Sequence, residues 1–239
     1  MKVFNYTQGT DEWFRARLGI PTSSCFDKII TPKTGKMSSQ HHSYLCELFA
    51  EIILNEPLDR FPANYWMERG SVYEEDAAQS YQLETGHNVI HGGFITDDDL
   101  KWGTSLDRLI VDDSGEIIGG LEIKCPAPWT HVENLLNGDI DTKYIPQVQG
   151  QILVGELDFV DWYSYHPQIP SSLIRTEPDA EYQAKLKTCL NDFQAKKEQY
   201  AKILIDKGAL DKMPEKVMPE ITDEETGEYI DPSDLLLAG

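Results

Sequence analysis

The stretch LEIKCP, residues Leu121–Pro126, decides the fold, because it sets charged residues at alternate positions of an apolar strand. Residues two apart in a β-strand project from the same face. Glu122 and Lys124 therefore point the same way, and the apolar side chains that alternate with them face the core. A solvated strand face with a cross-strand ion pair gives the same alternation, so this pattern alone is a weak signal.

Asp107, in the segment TSLDRLIV, adds a second carboxylate to this face. Its run is followed by the turn signal Asp113-Ser114-Gly115, which predicts a hairpin with the strand that carries Glu122. If the two strands pair through this turn, Asp107 reaches the same place as Glu122 and Lys124.

Two carboxylates and a lysine predict metal-assisted cleavage of a phosphodiester. Mg²⁺ is a hard ion that takes oxygen ligands and keeps several waters. It polarises a scissile phosphate, lowers the pKa of a bound water and neutralises charge on the leaving oxygen. Lys124 would orient or deprotonate the attacking water, or stabilise the pentavalent transition state.

Helical patterns precede this strand pair. Thr10 followed by two acidic residues is typical of a helix N-cap, and Gly19 is typical of a helix end. Another helix is expected to begin near Ser23 or Ser24, ahead of the exposed basic loop TPKTGKMSS. Longer helices are predicted at about residues 40–55 and 64–84.

Short β-branched runs fill the middle of the chain, and helices follow them. The predicted strands lie in NVIHGGFIT, SLDRLIVDD, IIGGLEIKC, DFVDWYSYHP and SLIRTE. The later helices are predicted from Pro126 to about Asn137, in QVQGQILVG, and from Asp179 to about Lys207. This order favours an α/β fold in which a central mixed sheet is flanked by helices, with the site at one edge.

Length and composition indicate one domain with a tail. A chain of 239 residues that is 40% hydrophobic can bury one substantial core, which we assign to residues 1–208. Residues 209–239 are rich in proline and acid, which is typical of a flexible or interacting tail. The acidic tail from about Asp211 to Gly239, which ends in Leu235–Leu237, is a candidate docking segment, and the alternative is a disordered, solvating tail.

The bulk charge and the cysteines limit the classes of function. A net charge of −20 counts against non-specific DNA binding, although a local basic channel can coexist with an acidic exterior. The four cysteines are scattered, so we expect reduced thiols rather than a zinc or redox site. Without an apolar run of roughly 20 residues or a signal sequence, we expect a soluble cytoplasmic protein.

Five blocks in order give the chain a family resemblance: WFRARLGIPTSS, GSVYEEDAAQSY, GTSLDRL, LEIKCP and YIPQVQGQI. Together they resemble the phage lambda-type exonucleases, or YqaJ-like viral recombinases, of the PD-(D/E)xK nuclease superfamily. The likeness runs from about Gly9 to Lys207. It implies a restriction-endonuclease-like α/β core and a Mg²⁺-dependent deoxyribonuclease of the alkaline exonuclease type, with Mn²⁺ able to substitute.

The resemblance also implies roles for individual residues of the metal site. Asp107 and Glu122 match the family's metal ligands, the Ile123 carbonyl is a further ligand, and Lys124 matches the catalytic lysine. Glu74 matches a helical acid that completes the metal site, with a one-residue register error toward Glu75 as the alternative.

Two positions beside Asp107 depart from the family pattern SPDGL. Leu106 stands where proline is usual, and Arg108 stands where glycine is usual. We expect neither of them to touch the Asp107 carboxylate.

Substrate-binding residues follow from the same blocks. Gln149 matches a glutamine that the family places near the substrate, with Gln147 as the other choice. The residues that match the pocket for a 5′-terminal phosphate are Arg17, Ser24 and Ser105, and an arginine fork with hydroxyls suits a phosphate. Trp13 is either a core aromatic or a base-stacking platform. Lys36, in the basic loop, is a candidate DNA contact.

On the resemblance, the protein is a homotrimeric ring that threads linear double-stranded DNA. It would hydrolyse from a 5′ end, release 5′-mononucleotides and leave a 3′ single strand for a phage single-strand annealing protein. The resemblance also implies a phage or prophage gene that acts in a bacterial host. The alternatives are a structure- or site-specific endonuclease on the same core and a catalytically silent module that binds DNA ends.

Overall fold

The computed structural model describes residues 1–58, 65–222 and 229–230. The strands are β1 (Lys2–Phe4), β2 (Asn88–His91), β3 (Phe94–Thr96), β4 (Gly103–Thr104), β5 (Arg108–Val111), β6 (Ile117–Lys124), β7 (Val160–His166), β8 (Ile169–Thr176), β9 (Ile221–Thr222) and β10 (Tyr229–Ile230). The α-helices are α1 (Asp11–Arg17), α2 (His41–Leu54), α3 (Tyr65–Thr85), α4 (Pro128–Asn137), α5 (Ile145–Gly155) and α6 (Ala180–Asp206). Short 3₁₀ helices cover Ser23–Lys28 and Thr142–Tyr144.

A mixed five-stranded sheet in the order β2-β5-β6-β7-β8 forms the centre of the fold. The β6–β7 pair is parallel and the other pairs are antiparallel. A parallel pair needs a long crossover connection, and α4 and α5 supply it between β6 and β7. The predicted central mixed sheet with flanking helices is therefore confirmed.

Helices cover both faces of this sheet. On one face α3 packs Ala77, Ala78 and Tyr81 against apolar side chains of β5, β6 and β7. On the other face α5 packs Val148 and Ile152 against the same strands. A further core joins α2, α6 and the first 3₁₀ helix. The strand ends that carry the candidate site are thus enclosed between α3 and α5.

The run Asn88–Thr96 forms two strands that belong to different sheets. β2 pairs with β5, whereas β3 pairs with β1 and β4 in a small antiparallel sheet. The chain changes direction at Gly92 and Gly93, where φ at Gly93 is +59°. A Cβ on Gly92 would lie 2.0 Å from the Leu106 carbonyl oxygen, so the break requires glycine.

The segment after Gly208 returns to the beginning of the chain. Lys216 donates hydrogen bonds to the carbonyls of Arg15 and Leu18, and the Tyr6 hydroxyl donates to the Pro219 carbonyl. A domain boundary at residue 208 stays a prediction, as does docking by the tail, whose residues 223–228 and 231–239 lie outside the described part of the chain. No helix in the described part of the chain is long and apolar enough to span a membrane.

Candidate active site

Asp107, Glu122 and Lys124 lie together where β5 begins and β6 ends. The antiparallel register pairs Arg108 with Leu121, so one residue further on Asp107 stands opposite Glu122. Oδ2 of Asp107 accepts a hydrogen bond of 2.6 Å from the backbone N–H of Ile123. The Lys124 ammonium donates a bond of 2.6 Å to Oε1 of Glu122. The turn and the alternation along β6 therefore produce the predicted cluster.

Burial and the closeness of Asp107 to Glu122 set the electrostatics of this cluster. Burial raises the pKa of Asp107 well above its usual range, and repulsion by Glu122 and Glu74 raises it further against the opposing effect of Lys124. Burial alone would lower the pKa of Lys124, but the charges of Glu122 and Asp107 more than offset that effect and raise it. Lys124 is therefore a cation held between two carboxylates.

The Glu122 carboxylate is only 3% exposed and is held by two glutamines of α5. Nε2 of Gln147 donates to its Oε1 at 2.8 Å, and Nε2 of Gln151 donates to its Oε2 at 2.5 Å. Residues four apart share one face of a helix, which explains why these two act together. Gln147, which we expected near the DNA substrate, thus contacts the Glu122 carboxylate.

Gln149, the glutamine expected at the site, lies on another face of α5. Its Nε2 donates to the Glu177 carbonyl, and its Oε1 accepts from the N–H of Asp179 at the start of α6. Two residues along a helix correspond to a rotation of about 200°, so Gln149 cannot share the face of Gln147. Gln151, and not Gln149, contacts Glu122 beside Gln147, and the four-residue spacing in QVQGQ is the signal that would have found it.

Two aromatic rings border the lysine. The Lys124 ammonium lies 5.2 Å from the centroid of the Trp162 ring and 5.9 Å from that of Tyr144. The electron-rich faces of such rings attract a cation within about 6 Å. Trp162 is the register partner of Glu122 in the parallel β6–β7 pair, so the sheet itself sets this arrangement.

Glu74 of α3 reaches the site through an arginine that the sequence did not indicate. Arg108 is 6% exposed, and its Nη1 donates to Oε1 of Glu74 at 2.7 Å. Its Nη2 donates to Oε2 of Glu75 at 2.9 Å. Glu74 is the acid that raises the pKa of Asp107, which favours Glu74 over Glu75 as the acid near the carboxylates. Arg108 does not contact the Asp107 carboxylate, as expected, but bonds its backbone carbonyl.

The carboxylates are suited to a hard divalent cation. In the residues that the structure describes, no three His, Cys, Asp or Glu side chains converge as a finished cage. Glu122 is turned toward Lys124 and two amides, and Glu74 toward Arg108. Mg²⁺, however, commonly binds through one or two carboxylates and completes its shell with water. The mutual repulsion of Asp107 and Glu122 fits a cation between them.

A second polar cluster gathers the residues expected at a terminal phosphate. Ser105 Oγ accepts hydrogen bonds from Trp13 Nε1 at 3.1 Å and from Arg17 Nη1 at 3.2 Å. Arg17 also donates to Thr22, whose hydroxyl lies 3.2 Å from that of Ser24. The Arg17 guanidinium stacks 4.0 Å from the centroid of the Trp13 ring. The structure thus brings the three residues predicted for this pocket together and adds Trp13 and Thr22.

Trp13 is both a core residue and a part of this polar cluster. It is 7% exposed and packs in the apolar cluster of Tyr6, Ala16 and Phe94, while its indole N–H contacts Ser105. A cavity of about 510 Å³ is lined by Trp13 and Arg17 of this cluster and by Glu74, Asp107 and Arg108 of the first. Lys36, by contrast, is exposed in the basic loop, where its backbone bonds Thr31.

The chain is similar to proteins of known family and known structure. A sequence profile of the YqaJ-like viral recombinase domain matches residues 12–158. Two crystal structures of the alkaline exonuclease LHK-Exo from Laribacter hongkongensis, one in complex with dAMP, are 32% and 31% identical to the chain, with TM-scores of 0.73. Each match covers 84% of this chain and 98% of the other.

A more distant structure shares the fold. A phage-related exonuclease from Haemophilus somnus 129PT is 17% identical, with a TM-score of 0.60 over 77% of this chain and 96% of its own. At this identity the likeness shows the fold alone. No curated protein matches the chain.

Proposed function

The chain belongs to the family of YqaJ-like viral recombinase domains, and from this premise we propose that it is a metal-dependent exonuclease. Its substrate is linear double-stranded DNA, which it degrades in the 5′→3′ direction. The observation that carries the proposal is the cluster of Asp107, Glu122 and Lys124 in a chain 32% identical to an alkaline exonuclease.

The metal site is proposed to use Asp107 and Glu122, with the Ile123 carbonyl and Glu74 as further ligands. Mg²⁺, or Mn²⁺ in its place, would there polarise the scissile phosphate and acidify a water molecule. The chain's own part is to hold these oxygens in place: the N–H of Ile123 fixes Asp107, and the two amides of α5 fix Glu122.

Lys124 is proposed to act on the reacting phosphate. Its ammonium bonds Glu122 and lies beside the rings of Trp162 and Tyr144. The carboxylates raise the pKa of Lys124 and so stabilise its positive charge. In that position it can orient the attacking water and stabilise the negative charge that develops on the phosphate oxygens. Removal of this cation should therefore lower the rate of the chemical step.

The second polar cluster is proposed to bind the 5′-terminal phosphate. Arg17 with the hydroxyls of Ser24 and Ser105 offers a guanidinium fork and donors that suit a phosphate dianion. The terminal nucleotide would occupy the cavity between Arg17 and Asp107, so that the next phosphate reaches the carboxylates. This arrangement supports release of 5′-mononucleotides and a 3′ single-stranded product.

Assembly and partners complete the proposal. A ring of three chains would retain DNA by enclosing it, so that the net charge of −20 does not prevent repeated cleavage. The 3′ strand would pass to a single-strand annealing protein of a phage, which acts with the nuclease in the bacterial cytoplasm.

Digestion of end-labelled duplex DNA tests this function. Linear DNA with a label at a phosphorylated 5′ end or at the 3′ end is incubated with Mg²⁺ or with EDTA, beside a closed circle. The wild type should remove the 5′ label first, only with Mg²⁺, and should spare the circle. Lys124→Ala should lose at least about two orders of magnitude in rate, which is typical of a lost charge stabiliser in an active site.

Other outcomes would favour the alternatives. Cleavage of the closed circle would identify an endonuclease on the same core. Binding of DNA ends by a folded wild type without cleavage in Mg²⁺ or Mn²⁺ would identify a silent end-binding module.

A further inference from the structure

Arg108 carries a buried charge next to the site, and the proposed chemistry does not use it. Its side chain is 7% exposed and makes three short contacts, with Glu74, Glu75 and the Asp107 carbonyl. Burial of a guanidinium is costly unless its donors are paired. These contacts therefore account for its burial and link α3 to the first residue of β5.

The contacts fix the rotation of α3 about its own axis. Consecutive residues of a helix point about 100° apart, so Glu74 and Glu75 diverge as they leave the backbone. The planar guanidinium binds one of them with each of its terminal nitrogens. A rotation of α3 would break one of these bonds and carry Glu74 away from Asp107.

We propose that Arg108 is a positioning residue of the metal site: its fork holds Glu74 beside Asp107 and thereby sets the affinity for the divalent ion. The inference rests on the proposed metal-dependent function. Arg108 binds Oε1 of Glu74, and the proposal assigns the other oxygen to the ion.

Metal binding to the full chain tests this role without recourse to activity. Mg²⁺ is titrated by calorimetry into the wild type, Arg108→Lys and Arg175→Lys, and each melting temperature is recorded. Arg108→Lys keeps the charge but loses the fork, so the affinity for Mg²⁺ should fall about tenfold, as for other residues that orient metal ligands.

Arg175→Lys is the matched control. Arg175 donates with two nitrogens to the fully buried carboxylate of Asp161 on β7, so the same substitution breaks an equivalent fork outside the site. It should lower the melting temperature and leave the affinity for Mg²⁺ within about twofold of the wild type, because Arg175 contacts none of the proposed metal ligands. The contrast separates positioning of Glu74 from a general loss of stability.

Glu75→Gln keeps the inference testable if Arg108→Lys does not fold. This change weakens the outer contact of the fork and leaves Glu74 paired, so a smaller loss of affinity, about threefold, is expected. An unchanged Mg²⁺ affinity in either folded variant overturns the assignment of Arg108. Absence of Mg²⁺ binding by the wild type overturns the assignment together with the proposed metal-dependent function.

Discussion

At the scale of single residues, Gln151 has the contact most specific to the site. Its Nε2 donates to the buried Glu122, while its own Oε1 lacks a partner among the described residues. An unpaired buried carbonyl costs about 1–3 kcal/mol. Gln151→Leu should therefore leave the melting temperature nearly unchanged. Removal of the unpaired buried carbonyl offsets the loss of the hydrogen bond to Glu122. Cleavage and Mg²⁺ affinity should fall at least about tenfold.

Gln149→Leu is the paired measurement, and the opposite result is expected. Gln149 bonds the backbone of Glu177 and Asp179, so its loss leaves two polar groups unpaired. The melting temperature should fall by about 3–10 °C, the range for a loss of a few kcal/mol in a chain of this size. Cleavage by the folded enzyme should persist. Loss of cleavage without loss of stability would return the catalytic assignment to Gln149.

Lys197 makes the stability depend on pH. It is buried in α6 and donates to the Gly19 carbonyl, and burial lowers its pKa to about 8 from 10.5, against a smaller effect of Glu51. The unfolded chain therefore binds the additional proton between about pH 8 and 10.5, and the free energy of unfolding rises with pH across that window. The gain is at most about 3 kcal/mol.

Urea denaturation of the wild type and Lys197→Met at several pH values measures this effect. The difference in unfolding free energy between the two proteins should be constant below pH 7 and should shift in favour of the wild type as pH rises to 10. A difference that is flat over the whole range would show that Lys197 titrates in the folded protein as it does in water.

At the scale of elements, the sequence predicted what depends on local periodicity. The helices around residues 40–55 and 179–207 and the strand that carries Glu122 appear with bounds close to those expected. The break at Gly92 and Gly93 was missed, because it arises from the close approach of Leu106, which is distant in sequence.

The site shows the same limit. Alternation along β6, the turn that precedes it and the family resemblance together indicated Asp107, Glu122 and Lys124. Arg108 was missed, because its role depends on how α3 is rotated against the sheet. Gln151 was missed, because the four-residue spacing in QVQGQ places it on the face of Gln147 but does not show that this face meets Glu122.

The helix α1 carries two residues that we expect to set the preference for 5′-phosphorylated ends. Trp13 and Arg17 are four residues apart, and both bond Ser105, which is two residues before Asp107. Arg17→Lys keeps a charge but loses the fork, so the preference for 5′-phosphate over 5′-hydroxyl ends should fall at least about tenfold, the loss of roughly one charge-assisted bond. Initial rates on the two substrates give this ratio.

Lys36→Gln is the control for that ratio. Lys36 is exposed in the loop between the first 3₁₀ helix and α2. Loss of this charge should weaken overall DNA binding and leave the preference for 5′-phosphate ends unchanged. If Arg17→Lys keeps the wild-type preference for 5′-phosphate ends, this cluster does not bind the terminal phosphate.

At the scale of the whole molecule, the proposed ring of three chains would explain how an acidic protein stays on DNA. The net charge of −20 opposes retention by phosphate contacts alone, and a closed ring does not need them. Native mass spectrometry should therefore give three times the mass of one chain. Added heparin should stop new chains from loading and leave digestion already in progress unaffected; a monomer that heparin halts at once would contradict the ring.

Lys197 and Lys216, which lie late in the sequence, contact the end of α1, and this affects when α1 is stabilised during synthesis on the ribosome. The carbonyls at the end of α1 accept hydrogen bonds from Lys197 and Lys216, and cations at this end of a helix stabilise it. Both lysines belong to the last fifth of the chain. During translation these contacts form only after residue 216 has left the ribosome, so the cations that stabilise the end of α1 reach it late in synthesis.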